Sequence, residues 1–132
     1  MQKSGVKIEL HLDGEAHKVK ANKIQIEQVL VNLVRNSLEA FEHAEIAEGL
    51  VVIQTCLLPN DMIEVSVSDN GPGIDAAMAG KIFDQFQTSK ETGMGIGLSL
   101  SHSIIEDHGG KLWLDENHQN GALFCFELPV SN

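Results

Sequence analysis

The sequence has no cluster of lysines and arginines of the kind a duplex-binding surface needs. Its 9 basic residues are outnumbered by 19 acidic ones, for a formal net charge of −10. That average field repels a nucleic acid at long range, which argues against DNA or RNA as a partner. It does not exclude a single nucleotide, because local backbone N–H groups, one or two basic side chains and Mg2+ can outweigh the global sign. There is no secretory signal and no apolar run long enough to cross a bilayer. The expectation is an intracellular, soluble domain, with any membrane anchor of a parent protein lying outside this chain. Cysteine is scarce. Cys56 and Cys125 sit in apolar runs, form no CxxC pair and have no zinc-ligand spacing, so both are expected to be buried, reduced thiols. His11, His17, His43, His102, His108 and His118 show no HxxxH or other paired spacing. They are expected at the surface or at caps, and none is read as a phosphoacceptor. Internal repeats, low-complexity tracts and linkers are also missing.

What remains is ordinary globular material. The chain has 132 residues and 42% hydrophobic composition, enough for one domain spanning 1–132 with a modest core. Residues 6–12 alternate as a half-buried strand, Gly14-Glu15 turns, and 17–20 can return as a short strand. Asn22, with Gln25 three residues on, reads as the N-cap of a long helix. Its apolar face comprises Ile26, Val29, Leu30, Leu33, Val34, Ser37, Leu38 and Phe41, with fraying by Ala47 and an end at Gly49. Residues 50–58 and 62–69 form a hairpin about a turn at 59–61, with Ile63, Val65 and Val67 inward. Residues 74–95 are weakly patterned, with one short helical turn near Phe83 and Phe86, and suit a lid between flanking glycines. A second helix is predicted over 96–108 with Leu98, Leu100, Ile104 and Ile105 apolar, stopped by Gly109-Gly110. Strands follow at 111–115 and 122–128, the latter with Leu123 and Cys125 outward and Phe124, Phe126 and Leu128 on the other face. The sum is an α/β (α+β) two-layer sandwich, a mixed, mostly antiparallel sheet of about five strands covered on one face by helices.

Four constellations can carry chemistry. Asn32, Arg35, Asn36 and Glu39 lie three and four apart, on one side of the first helix beside its apolar face. Asn36 can offer a neutral carbonyl oxygen to a hard cation such as Mg2+, with Asn32 sharing the region. Glu39 can orient a water or accept from a phosphate-side group, and Arg35 can face phosphates or pair at the surface. All four are equally compatible with plain helix-surface polarity. Asp69 ends a strand before Gly71 and Gly73. A carboxylate there can accept from an exocyclic amine such as adenine N6, while the glycines admit a flat ligand or simply make a tight turn. Gly93-Met94-Gly95-Ile96-Gly97 runs into a helix, a favourable place for phosphate, yet lacks the Gly-Lys-Ser/Thr of a P-loop and follows no strand. Lys90, beside Thr88 and Ser89, is the nearest cation and is either solvated or a phosphate contact. Each signal alone is weak. Their order supplies metal, base, closure and phosphate contacts in turn, the parts of an ATP site.

In that order and spacing the chain resembles the catalytic and ATP-binding domain of bacterial sensor histidine kinases, in the superfamily that includes DNA gyrase B, Hsp90 and MutL. The resemblance runs from about Val6 to Pro129. Asn32-Leu33-Val34-Arg35-Asn36-Ser37-Leu38-Glu39-Ala40 resembles the N box, which implies Mg2+ coordination by Asn36. Asp69 to Gly73 resembles the G1 box, which implies adenine recognition by Asp69. Phe83 and Phe86 resemble the F box, Gly93 to Gly97 the G2 box, and Gly121-Ala122-Leu123-Phe124 the terminal G-x-x-F element. Thr88-Ser89-Lys90 looks like the lid segment whose lysine approaches the terminal phosphates. The implied nucleotide contacts are Asn32, Asn36, Asp69, Gly71, Gly73, Ile74, Lys90, Gly93, Gly95, Ile96, Gly97 and Leu98, with Asn32, Arg35, Glu39 and Lys90 nearest the chemistry. Arg-Asn-Ser-Leu-Glu-Ala, and Thr-Ser-Lys near Gly-Met-Gly-Ile-Gly-Leu-Ser, look most like the nitrogen-regulation and nitrogen-fixation oxygen-sensing group. Glu39 stands where many kinases carry lysine, and Met94 where threonine is frequent. Asn32 stands where hydrolytic members of the superfamily carry a water-activating glutamate.

The resemblance implies a Bergerat-type fold with ATP and Mg2+ as ligands. It implies a protein-histidine kinase of two-component signal transduction, located in the bacterial cytoplasm, with a parent either soluble or membrane-anchored. The phosphoacceptor histidine would lie on a separate helical dimerisation domain, and the phosphoryl group would pass on to a response regulator. No dimerisation region is expected within 1–132, so the chain reads as an excised domain or one that works with a partner. It is expected to be monomeric, with a homodimeric parent, and inactive in autophosphorylation alone. A stand-alone serine-kinase relative of the anti-sigma type and an ATPase clamp of the same superfamily are the alternatives.

Overall fold

The computed structural model describes residues 5–11, 21–74, 94–115 and 121–130. The lid positions Phe83, Phe86, Thr88, Ser89, Lys90 and Gly93, and the returning strand expected at 17–20, lie outside them. The described elements are β1 (Lys7–His11), α1 (Lys23–His43), β2 (Leu50–Leu57), β3 (Met62–Asp69), α2 (Met94–Asp107), β4 (Lys111–Leu114) and β5 (Leu123–Pro129). The five strands form one sheet in the order β1-β2-β3-β5-β4, parallel only between β1 and β2. The two helices cover one face, which is the expected two-layer α/β sandwich.

Helix α1 begins where the sequence places it. The Asn22 side chain accepts from the Gln25 N–H at 3.0 Å, so one orphan donor of the first turn is satisfied. The helix ends at His43, earlier than the expected fraying at Ala47. Glu45 adopts φ 59, the Ile46 N–H donates to Phe41 O at 2.8 Å and the Glu45 N–H to Glu42 O at 3.2 Å, a Schellman arrangement with glutamate in the left-handed position. Gly49 instead lets the chain cross the Phe41 ring, since a Cβ there would lie 2.4 Å from it. Helix α2 ends in the same way at Gly109, φ 82, with Gly110 N–H donating to Ile105 O at 3.0 Å.

The core lies between the helices and one sheet face. Val29, Leu33 and Phe41 of α1 and Leu98, Ile104 and Ile105 of α2 meet Val51, Val67, Leu112, Phe124, Phe126 and Leu128 of the sheet. Registered pairs Val67–Phe124, Val65–Phe126 and Ile63–Leu128 place these side chains on one face, and Asp69, two residues beyond Val67, shares that face. Four local expectations change. Strand β1 is exposed at all five residues, with Leu10 61% accessible; among the described residues it pairs only with β2 and lies at the end of the strand order. Leu100 is exposed and Ser101 buried, because 98, 101 and 105 share the inner stripe of α2. Leu38, expected on the inner face of α1, is exposed on its outer side. Cys56 is exposed on the helix-free sheet face; Cys125, on that same face, is buried between its ladder partners Trp113 and Ser66.

Candidate functional site

The end of β3 and the middle of α1 bring polar side chains into the edge of the core. Asp69 is only 7% accessible. Its Oδ1 accepts from the Gly71 N–H at 2.9 Å and the Ala122 N–H at 3.1 Å, and its Oδ2 accepts from the Ser37 hydroxyl at 2.6 Å. Three donors to one carboxylate make its burial tolerable and fix its plane. Two backbone crossings make the arrangement possible. Gly121, at φ 98, approaches so closely that a Cβ there would lie 1.9 Å from Asp69 O. Gly73, at φ 83, would place a Cβ 3.3 Å from Gly121 O. Asn70 clips the turn to the start of β2: its Oδ1 accepts from Leu50 N–H at 2.7 Å and its Nδ2 donates to Glu48 O at 3.2 Å.

Asn36, one residue before Ser37, is 5% accessible. Its Oδ1 is fully buried and has no hydrogen-bond partner among the described residues. A buried amide oxygen in that state costs roughly 1–3 kcal/mol, so it calls for a ligand. A neutral oxygen donor suits a hard divalent cation, and the residues present therefore fit Mg2+. Asn32, one turn earlier, is otherwise engaged: its Nδ2 donates to Gly97 O at 3.3 Å and Ser101 Oγ at 3.1 Å, tying α1 to the start of α2.

Asn32, Asn36, Asp69, Gly71, Gly73 and Gly97 thus gather around the meeting of α1, α2 and the β3 end. Helix α2 starts at Met94, so Gly95 and Gly97 lie within its opening turn rather than in a preceding loop. Ile74 packs against the core and Leu98 is part of it. Glu39 is half-buried. Arg35 does not join the group: it is exposed and lines a shallow groove of about 330 Å³ with Leu30, Val31, Val34 and Leu38 on the outer side of α1. Lys90 and Gly93 lie outside the described residues. Sequence reasoning missed Ser37, counted with the apolar face, and the Ala122 N–H. A hydroxyl at an apolar-face position was the available signal, because a buried hydroxyl needs a partner. The G-x-x-F element at 121–124 marked this stretch, but nothing in it points to the Ala122 N–H as a partner of Asp69.

Known proteins resemble the chain in family and fold. Residues 21–132 match the family model described as histidine kinase-, DNA gyrase B- and HSP90-like ATPase. The chain is 44% identical over 131 residues to the sensor protein FixL of Bradyrhizobium diazoefficiens, covering 99% of this chain and 26% of that protein. It is 39% identical over 126 residues to the C4-dicarboxylate transport sensor protein DctS of Rhodobacter capsulatus, covering 95% of this chain and 19% of that protein. The chain therefore spans about a quarter or less of the length of these relatives. Among solved structures, the catalytic domain of histidine kinase ThkA superimposes with a TM-score of 0.81 at 38% identity, covering 96% of this chain and 82% of that one. ThkA in complex with the response regulator TrrA gives 0.74 at 37% identity, covering 96% of this chain and 34% of that one.

Proposed function

The chain belongs to the histidine kinase-, DNA gyrase B- and HSP90-like ATPase family, as the ATP-binding catalytic domain of a sensor histidine kinase, and from that premise we propose that it holds Mg-ATP at the junction of α1, α2 and the β3 end. The observation that carries the reading is the buried Oδ1 of Asn36, without a partner among the described residues, beside a buried Asp69 held by three donors. Asp69 accepts from the exocyclic amine of adenine, and Gly71, Gly73 and Ile74 follow it as the residues that admit the flat ring. The first backbone N–H groups of α2, from Met94 through Gly97, are the donors available to the phosphates. Lys90 neutralises the terminal phosphate and Asn36 holds Mg2+, which when bound offsets phosphate charge.

The chemistry is placement and charge compensation. An imidazole nitrogen of a separate dimerisation domain attacks the γ-phosphorus in line; the N–P bond forms as the bond to the β–γ bridging oxygen breaks, and ADP leaves. Asn32 has no carboxylate with which to activate water, so transfer is favoured over hydrolysis. Glu39 supports the metal-side water shell. The exposed position of Arg35 suits contact with a partner rather than with ATP. A response regulator is the downstream acceptor, a reading supported by the ThkA–TrrA complex. The test mixes this chain with Mg-ATP and a separately produced histidine-bearing dimerisation domain of a relative. Acid-labile phosphate on the histidine is expected. ATP binding without any transfer to histidine would remove the kinase reading, and phosphate on serine would favour the anti-sigma type.

A further inference from the structure

We infer that Ser37 is a positioning residue that commits the base-recognition point to accepting hydrogen bonds, so that it selects a purine with an amino group at C6 over one with a carbonyl oxygen there. The inference rests on the nucleotide reading above. Ser37 is 2% accessible and lies one residue from Asn36, and its hydroxyl sits 2.6 Å from Asp69 Oδ2. A carboxylate only accepts, whereas a hydroxyl can donate one proton and accept twice. The proton between Ser37 and Asp69 is therefore given by Ser37, and the shortness of the contact is that of a charge-assisted bond. Asp69 Oδ1 is already occupied by the Gly71 and Ala122 N–H groups. A base reaching this place meets the remaining lone pairs of Oδ2 and of Ser37 Oγ and no rotatable proton. An amino group satisfies them; a carbonyl oxygen is repelled by them.

Without the hydroxyl, a water fills the gap. A water turns freely to donate or accept, and it can bridge to either base. The measurement is titration calorimetry of ATP and ITP, with Mg2+ constant, on the unaltered chain and on Ser37→Ala, Ser37→Cys and Ser37→Thr. The ratio of ATP to ITP affinity is expected to fall about tenfold in Ser37→Ala, the scale of one hydrogen bond to a charged group. It should be intermediate with the weak thiol donor and recover with threonine. A residue that only fills space would lower both affinities together and leave the ratio unchanged. An unchanged ratio in Ser37→Ala overturns the inference, as does threonine failing to restore it in a protein of unaltered Tm. If the threonine methyl lowers Tm, the alanine and cysteine ratios decide: Ser above Cys above Ala supports the inference, and any other order overturns it. Binding of neither nucleotide by the unaltered chain would instead remove the nucleotide reading itself, and this inference with it.

Discussion

At the scale of single residues, the described part of the molecule holds one buried side-chain polar atom without a hydrogen-bond partner and one buried, unreactive thiol. Asn36→Ala removes a buried oxygen that has no hydrogen-bond partner among the described residues, so the Tm measured without nucleotide should be unchanged or slightly raised. ATP affinity at saturating Mg2+ should drop to the level seen with EDTA, and calorimetry in both conditions checks this. A Mg2+ effect that survives the substitution would move the metal elsewhere. Burial, then the nearby Glu64 and Asp115 carboxylates, push the Cys125 thiol up from 9.0 to about 12. Native protein at pH 8 should thus be alkylated at exposed Cys56 and protected at Cys125, with both modified in urea, as peptide mass mapping would report. The sign of the linkage follows. Because the folded value is the higher one, this stabilisation is fully present below pH 9 and is lost as pH rises from 9 towards 12. The slope is roughly 1.4 kcal/mol per pH unit, and Cys125→Ala should lack that component.

At the scale of elements, the N-terminus of α1 and the C-termini of both helices are closed by short motifs. Both C-termini use the same hydrogen-bond pattern, but α2 has Gly109 in the left-handed position and α1 has Glu45 at φ 59. An L-residue there costs about 1 kcal/mol relative to glycine. Glu45→Gly should therefore stabilise the chain by about 0.5–1 kcal/mol in urea denaturation, less some added freedom of the unfolded chain. A loss of stability would show that the Glu45 side chain makes a contact of its own. The N-terminus of α1 was legible from Asn22 and Gln25, whereas its C-terminus was not. A glycine is the usual signal for a left-handed cap, and the nearest one, Gly49, serves instead to pass the Phe41 ring. Leu100 and Ser101 show a related limit: apolar spacing identified helix α2, but its inner stripe was set by where α1 sits, through Asn32 and Ser101.

At the scale of the whole molecule, no helix among the described residues is long and apolar enough to cross a membrane. The net charge of −10 opposes an incoming polyphosphate at long range. Screening shortens the reach of the repulsion to about 8 Å at physiological ionic strength. Stopped-flow association of a fluorescent ATP analogue should accordingly speed up by a few-fold between low and physiological salt, at fixed Mg2+. A slowing with salt would mean that a local positive field at the site dominates the encounter.

The sequence by itself determined the element types, the hairpin of β2 and β3, the two-layer sandwich and the family, because these depend on local periodicity and on short motifs whose spacing survives in one dimension. It also marked Asn36 and Asp69. Only the tertiary structure decided what surrounds them. Ser37 and Ala122 meet Asp69 from 32 and 53 residues away, and the Asn32 amide meets α2 from 65 and 69 residues away. Arg35 leaves the group because α1 turns its inner face, not its whole polar side, towards the β3 end. The physical reason is common to all of these: hydrogen-bond partners and burial are properties of packed faces, and which faces meet is set by the core rather than by neighbours along the chain.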